Sequence, residues 1–114
     1  MILDDGIAEY LRAFCRGEQA AVTSRTLENL FHIRGPDLRH IINRLRGEGV
    51  PICSSASGYY YAETEDEIRQ TVRQLRSRIK KIAHAERGLT KMLEALGDPG
   101  QFTLDMEDLG GDTP

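Results

Sequence analysis

The chain has 114 residues, with 15 Lys and Arg against 18 Asp and Glu for a formal net charge of −3, and it contains no tryptophan. One domain of about 100–150 residues uses up that length, which excludes a large multi-domain enzyme. No apolar run exceeds four residues (Tyr59 to Ala62), so no segment is expected to span a bilayer.

Four helical patterns and one hairpin follow along the chain. In residues 4–16, Ile7, Tyr10, Leu11 and Phe14 recur at three- and four-residue steps and predict a helix with one apolar face, stopped at Gly17. Thr23 or Ser24 caps a second helix whose apolar face is Leu27, Leu30 and Phe31. His32-Ile33-Arg34-Gly35 makes a short turn. Pro36 then suits the first position of a third helix, because its missing N–H would have no helical partner there. Leu38, Ile41, Ile42 and Leu45 line one side of that helix, and Gly47 and Gly49 end it.

After Gly49 the period turns strand-like. Val50-Pro51-Ile52-Cys53 and Tyr59-Tyr60-Tyr61-Ala62 flank Ser54-Ser55-Ala56-Ser57-Gly58, a hairpin signal in which Gly58 is free to take a positive φ. Tyr59 and Tyr61 fall on one side of the hairpin and Tyr60 on the other, with packing on the core as their expected use. Thr64 with Glu67 forms a capping box, and the acids at 65–67 favour the start of a long helix reaching at least Arg87, where Gly88 bends or ends it. Leu89, Met92, Leu93 and Leu96 extend the amphipathic pattern before Gly97-Asp98-Pro99-Gly100. The Gly- and Asp-rich remainder is expected to be a disordered acidic tail. The expected fold class is mainly α with a small β-hairpin: a winged helix-turn-helix over residues 4–62, a long amphipathic helix over 64–97 and a tail over 98–114.

The net charge hides an asymmetry. Residues 98–114 carry five acids and no base, leaving 15 basic against 13 acidic groups in residues 1–97, or +2. Residues 12–46 hold seven arginines against Glu18, Glu28 and Asp37, and residues 69–91 hold eight bases against Glu86 alone. A third helix held to the core by one face can lay its opposite face in the major groove of duplex DNA. At 100° per residue that opposite face is Pro36, His40, Asn43 and Gly47, flanked by Asp37, Arg39, Arg44 and Arg46. Arginine bonds guanine bidentately, asparagine bonds adenine, and arginine or lysine neutralises phosphate. Arg39, His40, Asn43 and Arg44 are therefore the expected groove residues, and Arg25, Arg34 and Arg46 the expected phosphate contacts.

Residues 23–31 with Arg34-Gly35-Pro36-Asp37-Leu38-Arg39-His40-Ile41-Ile42-Asn43-Arg44-Leu45-Arg46, followed by Gly49-Val50-Pro51-Ile52-Cys53 and Gly58-Tyr59-Tyr60-Tyr61, resemble the winged helix-turn-helix of biotin-repressor-type regulators, including stand-alone phage-like forms. The resemblance covers about residues 4–62 and implies a DNA-binding transcriptional regulator. It departs from the family in two places. The wing tip Ser54-Ser55-Ala56-Ser57 has no base, and no ligand-sensing or catalytic domain follows the wing. Phage replication or recombination accessory binding, and a winged-helix protein–protein adaptor that does not touch DNA, are the alternatives.

Ile68, Val72, Leu75, Ile79 and Ile82 alternate four- and three-residue steps as in a coiled-coil seam, which Glu86 interrupts and Leu89, Leu93 and Leu96 resume. The seam either packs on its own domain or dimerises. Its length beyond what a 60-residue wing domain covers favours a homodimer through Ile68, Val72, Leu75, Ile79, Ile82 and Leu89. The basic residues beside it are a solvated face, a phosphate contact or a dock for the acidic tail, which would then compete with DNA. Cys15 and Cys53 fit no metal spacing, and Cys53 is expected as a small half-buried strand residue. No phosphate loop, metal motif or nucleophile elbow occurs, so no catalytic site, cofactor, metal or small-molecule ligand is expected. The start Met1 to Gly6 lacks the basic and apolar regions of a signal peptide, so the expected location is cytoplasmic.

Overall fold

The computed structural model describes residues 2–97. The elements run α1 (Ile2–Phe14), a 3-10 turn (Glu18–Ala20), α2 (Ser24–Phe31), α3 (Gly35–Gly47), β1 (Ile52–Ser55), β2 (Gly58–Tyr61) and α4 (Glu65–Ala95). This is the expected fold class: mainly helical, a helix-turn-helix followed by an antiparallel hairpin, then a long C-terminal helix. The chain divides between Leu75 and Arg76 into two units. The tail over 98–114 lies outside the described residues.

In the first unit the core is drawn from the apolar stripes of all three short helices and from β1: Ile7 and Leu11, Leu27, Leu38, Ile41, Ile42 and Leu45, and Ile52, with Cys15 among them. Helix α2 begins where Thr23 Oγ1 accepts the N–H of Thr26 at 3.2 Å, so Thr23 and not Ser24 is the cap. It ends on His32 in the left-handed conformation (φ 55°, ψ 47°), which reverses the chain into α3 within three residues. Pro36 stands second in α3, one place later than expected, with Arg34 as the residue before the helix.

Two apolar residues expected inside are outside. Phe14 is 71% exposed. It is the last residue of α1, and Cys15, turned inward where the helix stops, is buried in the core. Phe14 lies against Tyr10 (ring centroids 5.3 Å apart), which meets Phe31 edge-on. Leu30 is also exposed, because Leu27 and Phe31, four residues apart, form the inward stripe of α2.

The hairpin is tighter and better anchored than its sequence implies. β1 and β2 pair antiparallel with Ile52 opposite Tyr61 and Ser55 opposite Gly58, leaving only Ala56 and Ser57 as the turn. The second edge of β2 is paired too. Tyr59 and Val22 exchange both backbone bonds (2.7 and 2.8 Å), and Tyr61 donates to Cys15 and accepts from Gly17. β2 is thus the middle of a three-part ladder that fastens the α1–α2 connection to the wing. Val22 approaches Gly58 so closely that a Cβ there would stand 2.1 Å from the Val22 carbonyl oxygen, and Gly58 has φ +121°. Only glycine satisfies both conditions.

Both faces of the hairpin are covered. Tyr59, Tyr61 and Ile52 pack on the main core, while Cys53, Tyr60 and Ala62 form a second buried cluster. Cys53 is therefore fully buried rather than half-buried. Thr71, buried on the first turns of α4, accepts the N–H of Ser54. Glu67 fixes the start of α4. Its N–H donates to Thr64 Oγ1, and its carboxylate accepts the N–H groups of Glu63 (2.7 Å), Thr64 (3.3 Å) and Glu18 (3.0 Å). The capping box is complete, and Glu67 also ties α4 to the 3-10 turn. Gly88 does not end α4, which runs to Ala95.

Candidate nucleic-acid interface

The geometry of α3 follows from its period. Leu38, Ile41, Ile42 and Leu45 are buried, and at 3.6 residues per turn this turns Pro36, Asp37, Arg39, His40, Asn43 and Gly47 outward, where all six are exposed. Arg25 on α2 and Arg34 at the head of α3 are exposed as well. Among the described residues, the side chains of Arg25, Arg34, Arg39, His40 and Asn43 have no hydrogen-bond or ion-pair partner.

The other two expected contacts are committed to the fold. Arg44 Nη1 donates to Asp4 Oδ2 at 2.5 Å; the arginine side chain is half-exposed, but Asp4 is 5% exposed. The second carboxylate oxygen of Asp4 is buried without a hydrogen-bond partner, so the guanidinium is what balances a charge held inside the protein. Arg46 turns back onto the wing. Its Nε donates to the Ile52 carbonyl at 2.7 Å and its Nη2 to Ser54 Oγ at 3.2 Å, so it holds the end of α3 against β1. The sequence reading missed Asp4 altogether. Its only signal is an acid among the inward positions of α1, one turn before Ile7.

Acids also border this face. The Arg39 guanidinium and the Glu28 carboxylate both lie beside Gly35, each 3.5 Å from where a Cβ would be, and Ser24 donates to Glu28 Oε2. Among the further bases of the first unit, Arg12 pairs with Glu9, Arg69 with Glu65, and Arg16 lies over the Tyr61 ring, 5.9 Å from its centroid, while Arg73 on α4 is exposed. The two-residue wing turn carries no base and has room for no extended loop.

Neither thiol is poised to react, since burial pushes both Cys15 and Cys53 up from the ordinary thiol range. Among the described residues no group of three His, Cys, Asp or Glu could hold a metal ion, and no helix is long and apolar enough to cross a membrane. The seam residues divide between the units. Val72 and Leu75 are half-buried in the first, where Ile68 is exposed, and Ile79, Ile82 and Leu89 are exposed in the second. No protein-family model, curated protein or solved structure matches the chain.

Proposed function

We propose that this is a sequence-specific DNA-binding protein of the winged helix-turn-helix kind, acting in transcriptional regulation, with α3 as the element that enters the major groove. The observation that carries the reading is the uncommitted set Arg39, His40 and Asn43 on the solvent face of a helix whose opposite face is locked in the core. Arg39 and Asn43 have the donor patterns that read guanine and adenine, and Arg25 and Arg34 flank them as phosphate partners. Arg44 and Arg46 serve chiefly to hold α3 in place.

Selection from a random duplex library, followed by fluorescence-anisotropy titration of the selected site, tests this directly. Arg39→Ala and Asn43→Ala should each cost on the order of 1–3 kcal/mol on that site. Arg25→Ala should weaken all duplexes alike. Failure to select any sequence, or wild-type binding by both groove variants, would overturn the proposal. The base-free wing turn and the exposed Phe14 and Leu30 instead favour the second reading, a protein–protein adaptor, which predicts no duplex binding even at low salt.

A further inference from the structure

The second unit contributes the C-terminal two-thirds of α4, and most of its large apolar residues are exposed. Ile79 is 63%, Leu89 70% and Leu96 72% exposed, with Ile82 about half-exposed. Isolated apolar residues on a surface need no explanation, but these recur in strict order. Ile79, Ile82, Glu86, Leu89, Leu93 and Leu96 are separated by alternating steps of three and four, continuing the phase set by Ile68, Val72 and Leu75. That is a 3.5-residue repeat. On an undistorted helix a 3.5 repeat drifts by about 20° every seven residues, so such a stripe stays in register only against another helix that winds around it. Residues 76–95 would give a seam about 30 Å long at 1.5 Å per residue.

We propose that the occupant of this seam is a second copy of the same chain, which makes the protein a homodimer through α4. Three features select a second copy. The partner must carry the same repeat, and α4 itself does. Arg76 and Arg78 border the start of the seam, and beyond them the bordering positions are Ala83, Ala85, Thr90 and Met92, so over residues 79–96 no row of like charges opposes self-association. The bases Lys80, Lys81, Arg87 and Lys91 fall on the far side of the helix, away from the seam. Residues 98–114 offer a poorer match. Phe102, Met106 and Leu109 make one four-step and one three-step, a single heptad against the six seam positions of residues 79–96, and Pro99-Gly100 and Gly110-Gly111 close it off on either side.

Glu86 is the exception inside the seam. It occupies a core position, and no basic residue stands at the bordering positions within one turn on either side. A single polar residue at such a position specifies register at a cost in affinity. Glu86 therefore sets how tightly the dimer holds.

Sedimentation of the full chain over a range of concentrations tests the proposal without DNA, so its outcome is separate from that of the DNA-binding reading. The wild type should approach twice its 12.8 kDa mass as concentration rises. Leu89→Glu should weaken the dissociation constant by roughly a hundredfold or more, and Glu86→Leu should tighten it by roughly tenfold. Both positions are exposed, so circular dichroism should report folded helix in each variant. A wild type that stays monomeric at every concentration, or one whose mass is unmoved by Leu89→Glu, overturns the proposal. So does a monomer that dimerises only after residues 98–114 are removed, which would make the tail the occupant.

Discussion

Replacing Glu67 separates two roles that one side chain combines. Its carboxylate accepts backbone N–H groups from Glu63, Thr64 and Glu18, and the charge sits in the first turn of α4, where the helix dipole favours an anion. A lost cap costs about 0.5–2 kcal/mol and a lost favourable charge at a helix start about 0.3–1 kcal/mol. Glu63, Thr64 and Glu18 are exposed, so their N–H groups would find water, which argues for the lower half of the combined range. Glu67→Ala should therefore cost about 1–2 kcal/mol, or a fall in melting temperature of roughly 5–15 °C for a domain of this size. Glu67→Gln, which keeps an acceptor oxygen, should cost about half as much. The pH dependence identifies the charge. Backbone N–H donation, led by Glu63, holds the Glu67 carboxyl below its usual range. A depressed folded pKa means that the ionised form stabilises the fold above the unfolded pKa, and that this stability is lost as pH falls through the folded value. Thermal unfolding followed by circular dichroism from neutral pH down to about pH 3 should show the wild type losing its advantage over Glu67→Gln below the usual carboxylate range. Parallel curves for the two proteins, or a Glu67→Ala cost under about 0.5 kcal/mol, would refute the capping argument.

Two further substitutions probe how the wing and α3 are held. Gly58→Ala places a Cβ 2.1 Å from the Val22 carbonyl at φ +121°, and the carbonyl cannot retreat without breaking its bond to Tyr59. The expected loss is about 3 kcal/mol in urea unfolding, and a loss under about 1 kcal/mol would mean that the two backbones do not meet. Arg44→Ala strands the buried Asp4 carboxylate. Allowing for the half-exposed arginine, it should cost about 2 kcal/mol, and Asp4→Asn with Arg44→Ala should recover much of that in a double-mutant cycle. Additive losses would show that the pair does not couple.

The helices were legible because their signals are local. Leu38, Ile41, Ile42 and Leu45 declare the buried face of α3 by spacing alone, and Thr64 with Glu67 marks the start of α4. What stayed hidden depends on distant partners. Val22 is a single residue pairing with Tyr59, too short to show a strand period, so the third member of the ladder leaves no pattern in the sequence. Asp4 reads as an ordinary acid near a helix start until Arg44, 40 positions away, is brought beside it. Phe14 fits the helical stripe by count, but the helix stops there and Cys15 takes the interior place. Gly88 has the low helix propensity of any glycine, and the length of α4 overrides it.

The arginines show the same limit and sharpen the functional argument. Seven arginines in residues 12–46 suggest a strongly cationic surface, yet a count of charges says nothing about what each one holds. Arg12 faces Glu9, Arg16 a tyrosine ring, Arg44 a buried aspartate and Arg46 the wing strand. Arg25, Arg34 and Arg39 remain. If the DNA-binding proposal holds, Arg39 reads a base, and Arg25 and Arg34 set the phosphate contacts made by the helix-turn-helix. At about −0.9 per neutralised phosphate, the logarithm of affinity should then fall with the logarithm of salt at a slope near −2 per chain. A slope near −6 would mean that the committed arginines leave their partners on binding or that the bases of α4 reach the duplex. Arg44→Ala and Lys80→Ala would distinguish the two, since only the variant of a contacting residue makes the slope shallower by about one.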